Sequence, residues 1–272
     1  MSTKIQEAQN KMTNPGLIEP LSVMNFDKSN NEKYYLPKSD LDLKQYNGGM
    51  KPDKHGGIIR LSEFNAQLCE WIVEYWSKEG DTIVDPFAGR VTRAAVSTHL
   101  NRNYIGYEIS PQTYQRSIEH YQQYYIPATL HLEDGRKMVS SNAESADCII
   151  TCPPYFNLER YESVEGQISD RFKYSDFLYD IDLTIRNCKR VLKQGGYGCW
   201  VVGDFRNFHR WGGLLSFHSD LIKIIKDNGL QHWDTIVLPS NYSPIIHAVL
   251  KSAKAKQFTA KKHEYLIVFK KE

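Results

Sequence analysis

The six residues Thr151-Cys152-Pro153-Pro154-Tyr155-Phe156 are the stretch most open to a chemical reading. They follow Cys148-Ile149-Ile150, an apolar run that predicts a short buried strand. Two consecutive prolines bring no amide hydrogens to a sheet and disfavour helix, so the strand stops there. The rigid turn that remains offers carbonyl oxygens with no ladder partner and an aromatic ring beside them. Such a turn can accept hydrogen bonds from a planar amino group while the Tyr155 ring lies against that group's π-system. Alone, Pro-Pro-Tyr is more often an ordinary turn or interaction motif than a catalytic one.

Three acids upstream give the turn a context. Asp85-Pro86-Phe87-Ala88-Gly89 follows the apolar Thr82-Ile83-Val84, where a strand, turn and helix can hold a nucleotide-like ligand and Gly89 allows close backbone approach. Glu108, 23 residues after Asp85, ends a second predicted strand, from which a carboxylate can accept hydrogen bonds from ribose hydroxyls. Asp134 follows a third strand, placed to accept from an adenine amino group. Any one of these acids is as readily a cap. Three at successive strand ends describe an adenosine-shaped slot.

The intervening pattern supplies the elements that hold them. Residues Leu61, Phe64, Leu68, Trp71, Ile72, Tyr75 and Trp76 recur at helical spacing, with a capping stretch at 62–65 and Gly80 as the stop. Helices are predicted over 91–100, 110–125, 175–192 (ended by Gly195-Gly196) and 218–228, and strands over 82–84, 104–107, 129–132, 148–150, 197–202, 233–238 and 264–269. Alternating strands and helices predict an α/β fold, a doubly wound, mostly parallel sheet of seven strands. The last two strands have no predicted helix between them and should pair as an antiparallel terminal hairpin. Residues 1–57 lack periodicity and read as an extended arm, with Tyr34-Tyr35-Leu36 and Tyr46 available to pin it.

Composition narrows the class. The 272 residues are 41% hydrophobic and 24% charged with a net charge of +2, ordinary for a soluble globular chain. The polar start has no signal-peptide core, and no run approaches a membrane span. The five cysteines show no CxxC spacing and predict neither a disulfide framework nor a zinc site; the setting read from them is reducing and cytoplasmic.

Asp85-Pro86-Phe87-Ala88-Gly89, followed 68 residues after Asp85 by Pro153-Pro154-Tyr155, resembles the S-adenosylmethionine-dependent DNA amino-methyltransferases, which methylate adenine N6 or cytosine N4. The resemblance covers residues 58–272 and is nearest to short solitary enzymes of phages and mobile elements, in which a stretch like Leu158-Glu159-Arg160-Tyr161 follows the catalytic motif. It implies a Rossmann-like methyltransferase fold, S-adenosylmethionine as cofactor and double-stranded DNA as partner, with a homodimer left open. It further implies Asp85, Phe87, Gly89, Glu108 and Asp134 as cofactor-binding residues. Cys152, Pro153, Pro154 and Tyr155 become catalytic, the carbonyls of Cys152 and Pro153 accepting from the amino group and Tyr155 stacking on a flipped base. No metal is called for.

Two departures from the family pattern stand out. Cys152 occupies the place of Asp, Asn or Ser and is a feeble acceptor, which Glu159 could replace; as a stand-in for Ser it leans toward cytosine N4. Arg90-Val91 replaces the usual Ser-Gly, and Arg90 could reach the cofactor carboxylate or a phosphate. Only 17 residues separate Asp134 from Thr151, so no separate large target-recognition domain is expected. DNA contacts are assigned to Arg160, Arg206, Arg210, Lys251, Lys254 and Lys256, the lysines lying with Lys261 and Lys262 in an acid-free connection. Two other readings remain: methylation of an RNA base or protein amide nitrogen, and a non-catalytic DNA-binding partner subunit.

Overall fold

Alternating side chains along the central strands explain why this sheet is covered on both faces. The computed structural model describes residues 23–24, 64–156, 161–206, 213–239, 253, 257–259 and 261–272. On β4 (Ala146–Thr151), Cys148 and Ile150 enter one hydrophobic cluster and Ile149 the other. On β5 (Leu192–Val202), Cys199 and Val201 face the first cluster while Trp200 and Val202 face the second. On β9 (His263–Lys270), Leu266 and Val268 are opposed by Ile267 and Phe269 in the same way. Strands buried on both sides read as continuous apolar runs, which is how they stood in the sequence.

Helices α1 (Ala66–Trp76) and α2 (Thr92–His99) supply apolar residues to the first cluster. Helices α4 (Tyr174–Val191) and α5 (Phe217–Asp227) supply the second. Of the expected capping stretch, Asn65 does the capping, its side chain accepting from the Leu68 amide at 3.0 Å. Helix α3 (Pro111–Gln123) opens on Ser110 as cap with Pro111 in its first turn, as its sequence predicts.

With β1 (Thr82–Asp85), β2 (Asn103–Glu108), β3 (Thr129–Leu132) and β8 (Gln231–Pro239), the seven strands run in the order β3-β2-β1-β4-β5-β9-β8. The first five are parallel, and β9 is antiparallel to both β5 and β8. The predicted α/β sheet and its antiparallel end are therefore what forms. The chain lays β1, β2 and β3 outward to one side and then returns to place β4 beside β1. That reversal opens a crevice at the carboxyl ends of β1 and β4, where ligands bind in open α/β sheets.

Two details differ from expectation. Gly195-Gly196 do not end α4; the helix passes directly into β5 at Leu192, and both glycines lie inside that strand. They pair with Lys271, the Gly195 amide donating at 2.7 Å and the Gly196 carbonyl accepting at 3.0 Å. A Cβ on Gly196 would stand 2.8 Å from the Asp147 carbonyl, so the glycine serves a close approach rather than a stop. Phe205–Arg206 and Leu214–Leu215 form a short antiparallel pair, β6 and β7, at the exit of β5. Of the N-terminal arm, Val23 and Met24 are described: Val23 bridges Val237, the Met24 amide donates to the Val237 carbonyl at 3.0 Å, and Met24 is buried in the core. Tyr34, Tyr35, Leu36 and Tyr46 lie outside the described residues. Among the described residues no helix is long and apolar enough to cross a membrane.

Candidate active site

Asp85 ends β1 at the crevice with no solvent exposure, so its charge has to be met from inside. The Arg93 guanidinium donates to Oδ2 through Nε at 2.6 Å, and the Tyr104 hydroxyl donates to the same oxygen at 2.7 Å. Oδ1 receives the Phe87 amide at 3.1 Å and the Thr151 hydroxyl at 2.6 Å. Arg93 also donates through Nη2 to the carbonyls of Phe87 and Ala88, at 2.6 and 3.1 Å. Burial opposes the guanidinium charge, yet the Asp85 carboxylate holds Arg93 above its usual range. Burial, with Asp85 close by, likewise keeps the Tyr104 phenol protonated. Asp85 therefore points inward. It shapes the turn at residues 86–89 and, through Thr151, locks that turn to the residue preceding Cys152.

The Cys152-Pro153-Pro154-Tyr155 turn leaves β4 directly beside this knot. Cys152, Pro154 and Tyr155 are half-buried and Pro153 is buried. Phe156 turns the other way, buried among Tyr174, Phe177 and Phe205. The turn is thus pinned by Thr151 on one side and Phe156 on the other. Cys69, Cys188 and Cys199 are buried thiols whose pKa burial pushes up, leaving Cys152 as the partly exposed cysteine.

The turn after β1 leaves open space at one position and close backbone contact at another. Gly89 adopts φ +54°, and a Cβ there would meet only the Phe87 carbonyl, at 3.8 Å, so the room above it is open. Val91, standing where the family pattern has a second glycine, is buried in the core at the entrance to α2. Phe87 is half-buried, edge-on to Trp200 at 6.1 Å. Gly135 is a packing requirement: a Cβ on it would lie 1.8 Å from the Pro86 carbonyl, so the loops after β1 and β3 touch backbone to backbone.

Glu108 sits half-buried at the end of β2, with Oε1 accepting from the Ser110 amide at 2.7 Å. Burial raises its pKa to about 7, against the pull of the Ser110, Gly89 and Ile109 amides. Asp134 follows the end of β3, as expected, and is ion-paired. Arg136, two residues on, folds back to donate to both its oxygens, through Nε at 2.9 and 3.1 Å and Nη2 at 2.8 Å. Arg136 also reaches Asp180 on α4, which Arg171 engages in turn. The Asp134 carboxylate thus belongs to an ion-pair network that fixes its orientation at the end of β3.

A sequence profile of the DNA methylase family matches residues 4–119 and 146–272, most of the chain. The chain belongs to the DNA methylase family. The match begins well before residue 58 and so takes in most of the expected arm. Two relatives from Bacillus amyloliquefaciens are similar over shorter stretches. The orphan methyltransferase M.BamHII is 40% identical over 63 residues, 23% of this chain and 24% of that protein. The type II methyltransferase M.BamHI is 38% identical over 50 residues, 18% of this chain and 12% of that protein. The chain thus spans about a quarter or less of either relative. Among solved structures, geranyl diphosphate C-methyltransferase from Streptomyces coelicolor A3(2) superimposes with TM-score 0.53 at 12% identity, over 76% of this chain and 79% of that one. TrmN from Thermus thermophilus gives 0.51 at 13%, over 76% and 48%. At such identities these likenesses speak for the fold alone, a Rossmann-like methyltransferase sheet.

The methyl donor of the DNA methylase family is S-adenosylmethionine, and the residues present suit it. The open approach at Gly89 and the half-buried carboxylate of Glu108 at the neighbouring strand end are what a nucleoside with free ribose hydroxyls requires. Glu108 carries a pH signature. Its folded pKa is raised, so between about pH 4.5 and 7 the native chain binds a proton that the unfolded chain has released. Its stabilising contribution is full at the acid end of that window and is lost as pH rises through about 7. Glu108→Gln is expected to flatten the fall in melting temperature over that window, measured by thermal denaturation across a pH series.

Of the residues expected to contact DNA, Arg206 lies within the described residues. Arg206 lies over the Phe258 ring at 4.7 Å, half-buried beside the β5 exit. Lys261, expected to serve a phosphate backbone, is paired with Asp204 at 2.6 Å. Arg160, Arg210, Lys251, Lys254, Lys256 and Glu159 lie outside the described residues. Arg93 and Tyr104, which hold the Asp85 carboxylate, are not among the residues singled out in the sequence. Arg93 had one local signal, a cation in the first turn of the helix that follows the Asp85 turn.

Proposed function

We propose that this DNA methylase family member transfers a methyl group from S-adenosylmethionine to the exocyclic amino nitrogen of a base flipped out of double-stranded DNA, at adenine N6 or cytosine N4. The observation that carries the reading is the Thr151–Asp85 hydrogen bond of 2.6 Å. It joins the turn that would hold the cofactor to the turn that would hold the target nitrogen, both at the topological switch between β1 and β4. Gly89 and Glu108 would hold the cofactor, whose sulfonium would supply the methyl group. The N–CH3 bond forms as the S–CH3 bond breaks, the neutral thioether S-adenosylhomocysteine leaves, and the proton shed by the methylated nitrogen passes to water.

An exocyclic amino group is a poor nucleophile because its lone pair is delocalised into the ring. The carbonyls of Cys152 and Pro153 accept its N–H hydrogens and favour a more pyramidal nitrogen. They act more strongly as positive charge grows there, which is electrostatic preorganisation. Tyr155 stacks on the base and Pro154 keeps the backbone in the one conformation that aims the carbonyls. What the protein contributes is alignment of two bound partners, so rigidity at residues 151–156 is the main requirement. Such an enzyme works in the cytoplasm, where its DNA is.

Transfer of label from S-adenosylmethionine in parallel incubations with duplex DNA, RNA and unrelated protein tests the substrate class. Label in DNA is expected. Label confined to RNA or protein would contradict the proposal, and a chain that gives no calorimetric signal with S-adenosylmethionine would be a non-catalytic subunit.

A further inference from the structure

Tyr155 is tethered at its far end by a residue from another part of the chain. Its hydroxyl donates to Glu264 Oε1 at 2.5 Å, across 109 positions of sequence. Glu264 is the second residue of β9, half-buried, on the strand that runs antiparallel to β5. The register pairs Val202 with Tyr265, so Gly203 comes level with Glu264. A Cβ on Gly203 would lie 3.6 Å from the Tyr155 hydroxyl and 3.7 Å from Glu264 Cγ, so the hydrogen-bonded pair rests against that glycine.

The corner is fastened from the other side as well. Asp204 accepts from Lys261 Nζ at 2.6 Å and from the His218 amide at 3.0 Å, and His218 Nδ1 lies 2.6 Å from its Oδ1. The His218 ring stacks on Tyr265 at 4.2 Å, one residue beyond Glu264. The lysine and histidine hold Asp204 below the usual carboxylate range despite its burial. Residues on both sides of Glu264 are therefore anchored to the end of β5, and its carboxylate is presented from a fixed place.

We infer that Glu264 is a positioning residue for methyl transfer, an assignment that rests on the function proposed above. A tyrosine ring can turn about two side-chain bonds, and a hydrogen bond at its para oxygen restrains the Cα–Cβ torsion by acting at the end of the lever. The para oxygen lies on the Cβ–Cγ axis, so the turn about that axis is restrained by the preference of the phenol O–H for the ring plane and by the packing of the ring edge against Gly203. Glu264 holds the Tyr155 ring in the attitude that receives the target base. A hydrogen bond to a carboxylate is among the stronger kinds, and an amide oxygen in its place can still accept.

Steady-state transfer to duplex DNA should be measured for the wild type, Glu264→Ala, Glu264→Gln, Tyr155→Phe and the double variant Tyr155→Phe/Glu264→Ala, with S-adenosylmethionine affinity by calorimetry and melting temperature alongside. Glu264→Ala is expected to lower kcat about tenfold through loss of alignment, with cofactor affinity within about twofold of wild type. Glu264→Gln should keep most of the activity. Tyr155→Phe should lose as much as Glu264→Ala, and the double variant no more than either, because one interaction is removed in all three. Full activity in Glu264→Ala, equal loss in Glu264→Gln, or losses that multiply in the double variant would each overturn the assignment while leaving the proposed function standing. Absence of transfer to DNA by the wild type would overturn the proposed function, and this assignment with it.

Discussion

Asp85→Ala should destabilise the fold by about 3–5 kcal/mol, the usual penalty for stripping a buried ion of its partner. The Arg93 side chain is 8% exposed and would keep its charge with the carbonyls of Phe87 and Ala88 and the face of the Phe64 ring, but no carboxylate, to meet it. The Tyr104 and Thr151 hydroxyls would also lose an acceptor in the interior. Tyr104→Phe is the milder comparison, removing one neutral donor at about 1 kcal/mol. Urea unfolding followed by circular dichroism measures both. An alanine variant within about 1 kcal/mol of wild type would show that the knot around Asp85 is not what holds the two turns together.

Tyr155→Ala should lower methyl transfer to DNA by about 10- to 100-fold, the equivalent of one base–aromatic stack of 1–3 kcal/mol. The ring is half-buried and contributes little to either hydrophobic cluster, whereas its neighbour Phe156 is buried among three aromatic side chains. The variant should therefore fold normally and bind S-adenosylmethionine as the wild type does. Single-turnover kinetics with saturating cofactor separates the two steps. A parallel loss of cofactor affinity would mean that Tyr155 faces the cofactor rather than the base.

The sheet was legible because its central strands are buried on both faces and its turns carry strong punctuation. Asp85-Pro86, Ser110-Pro111 and Pro153-Pro154 each stop or start an element by removing an amide hydrogen, a property that acts within a few residues. What was less legible depends on contacts made by distant parts of the chain. The ion pair of Asp134 had no local signal, because Arg136 turns back over Gly135, which has to be glycine since Pro86 lies against it. Gly195-Gly196 looked like a helix stop because the pairing with Lys271 comes from the far end of the chain. Asp85 stood out at once, yet its inward orientation depends on Arg93, Tyr104 and Thr151, which meet only after β1, β2 and β4 align. Glu264 carries no local signal at all, since its meaning comes from Tyr155.

The measurement that bears most directly on the central claim is nucleoside mass spectrometry of duplex DNA after incubation with the protein and S-adenosylmethionine carrying a labelled methyl group. The account predicts label on an exocyclic nitrogen, as N6-methyladenine or N4-methylcytosine, and its disappearance in Pro154→Ala. Label on cytosine C5, or none in DNA from a chain that binds the cofactor, would contradict it.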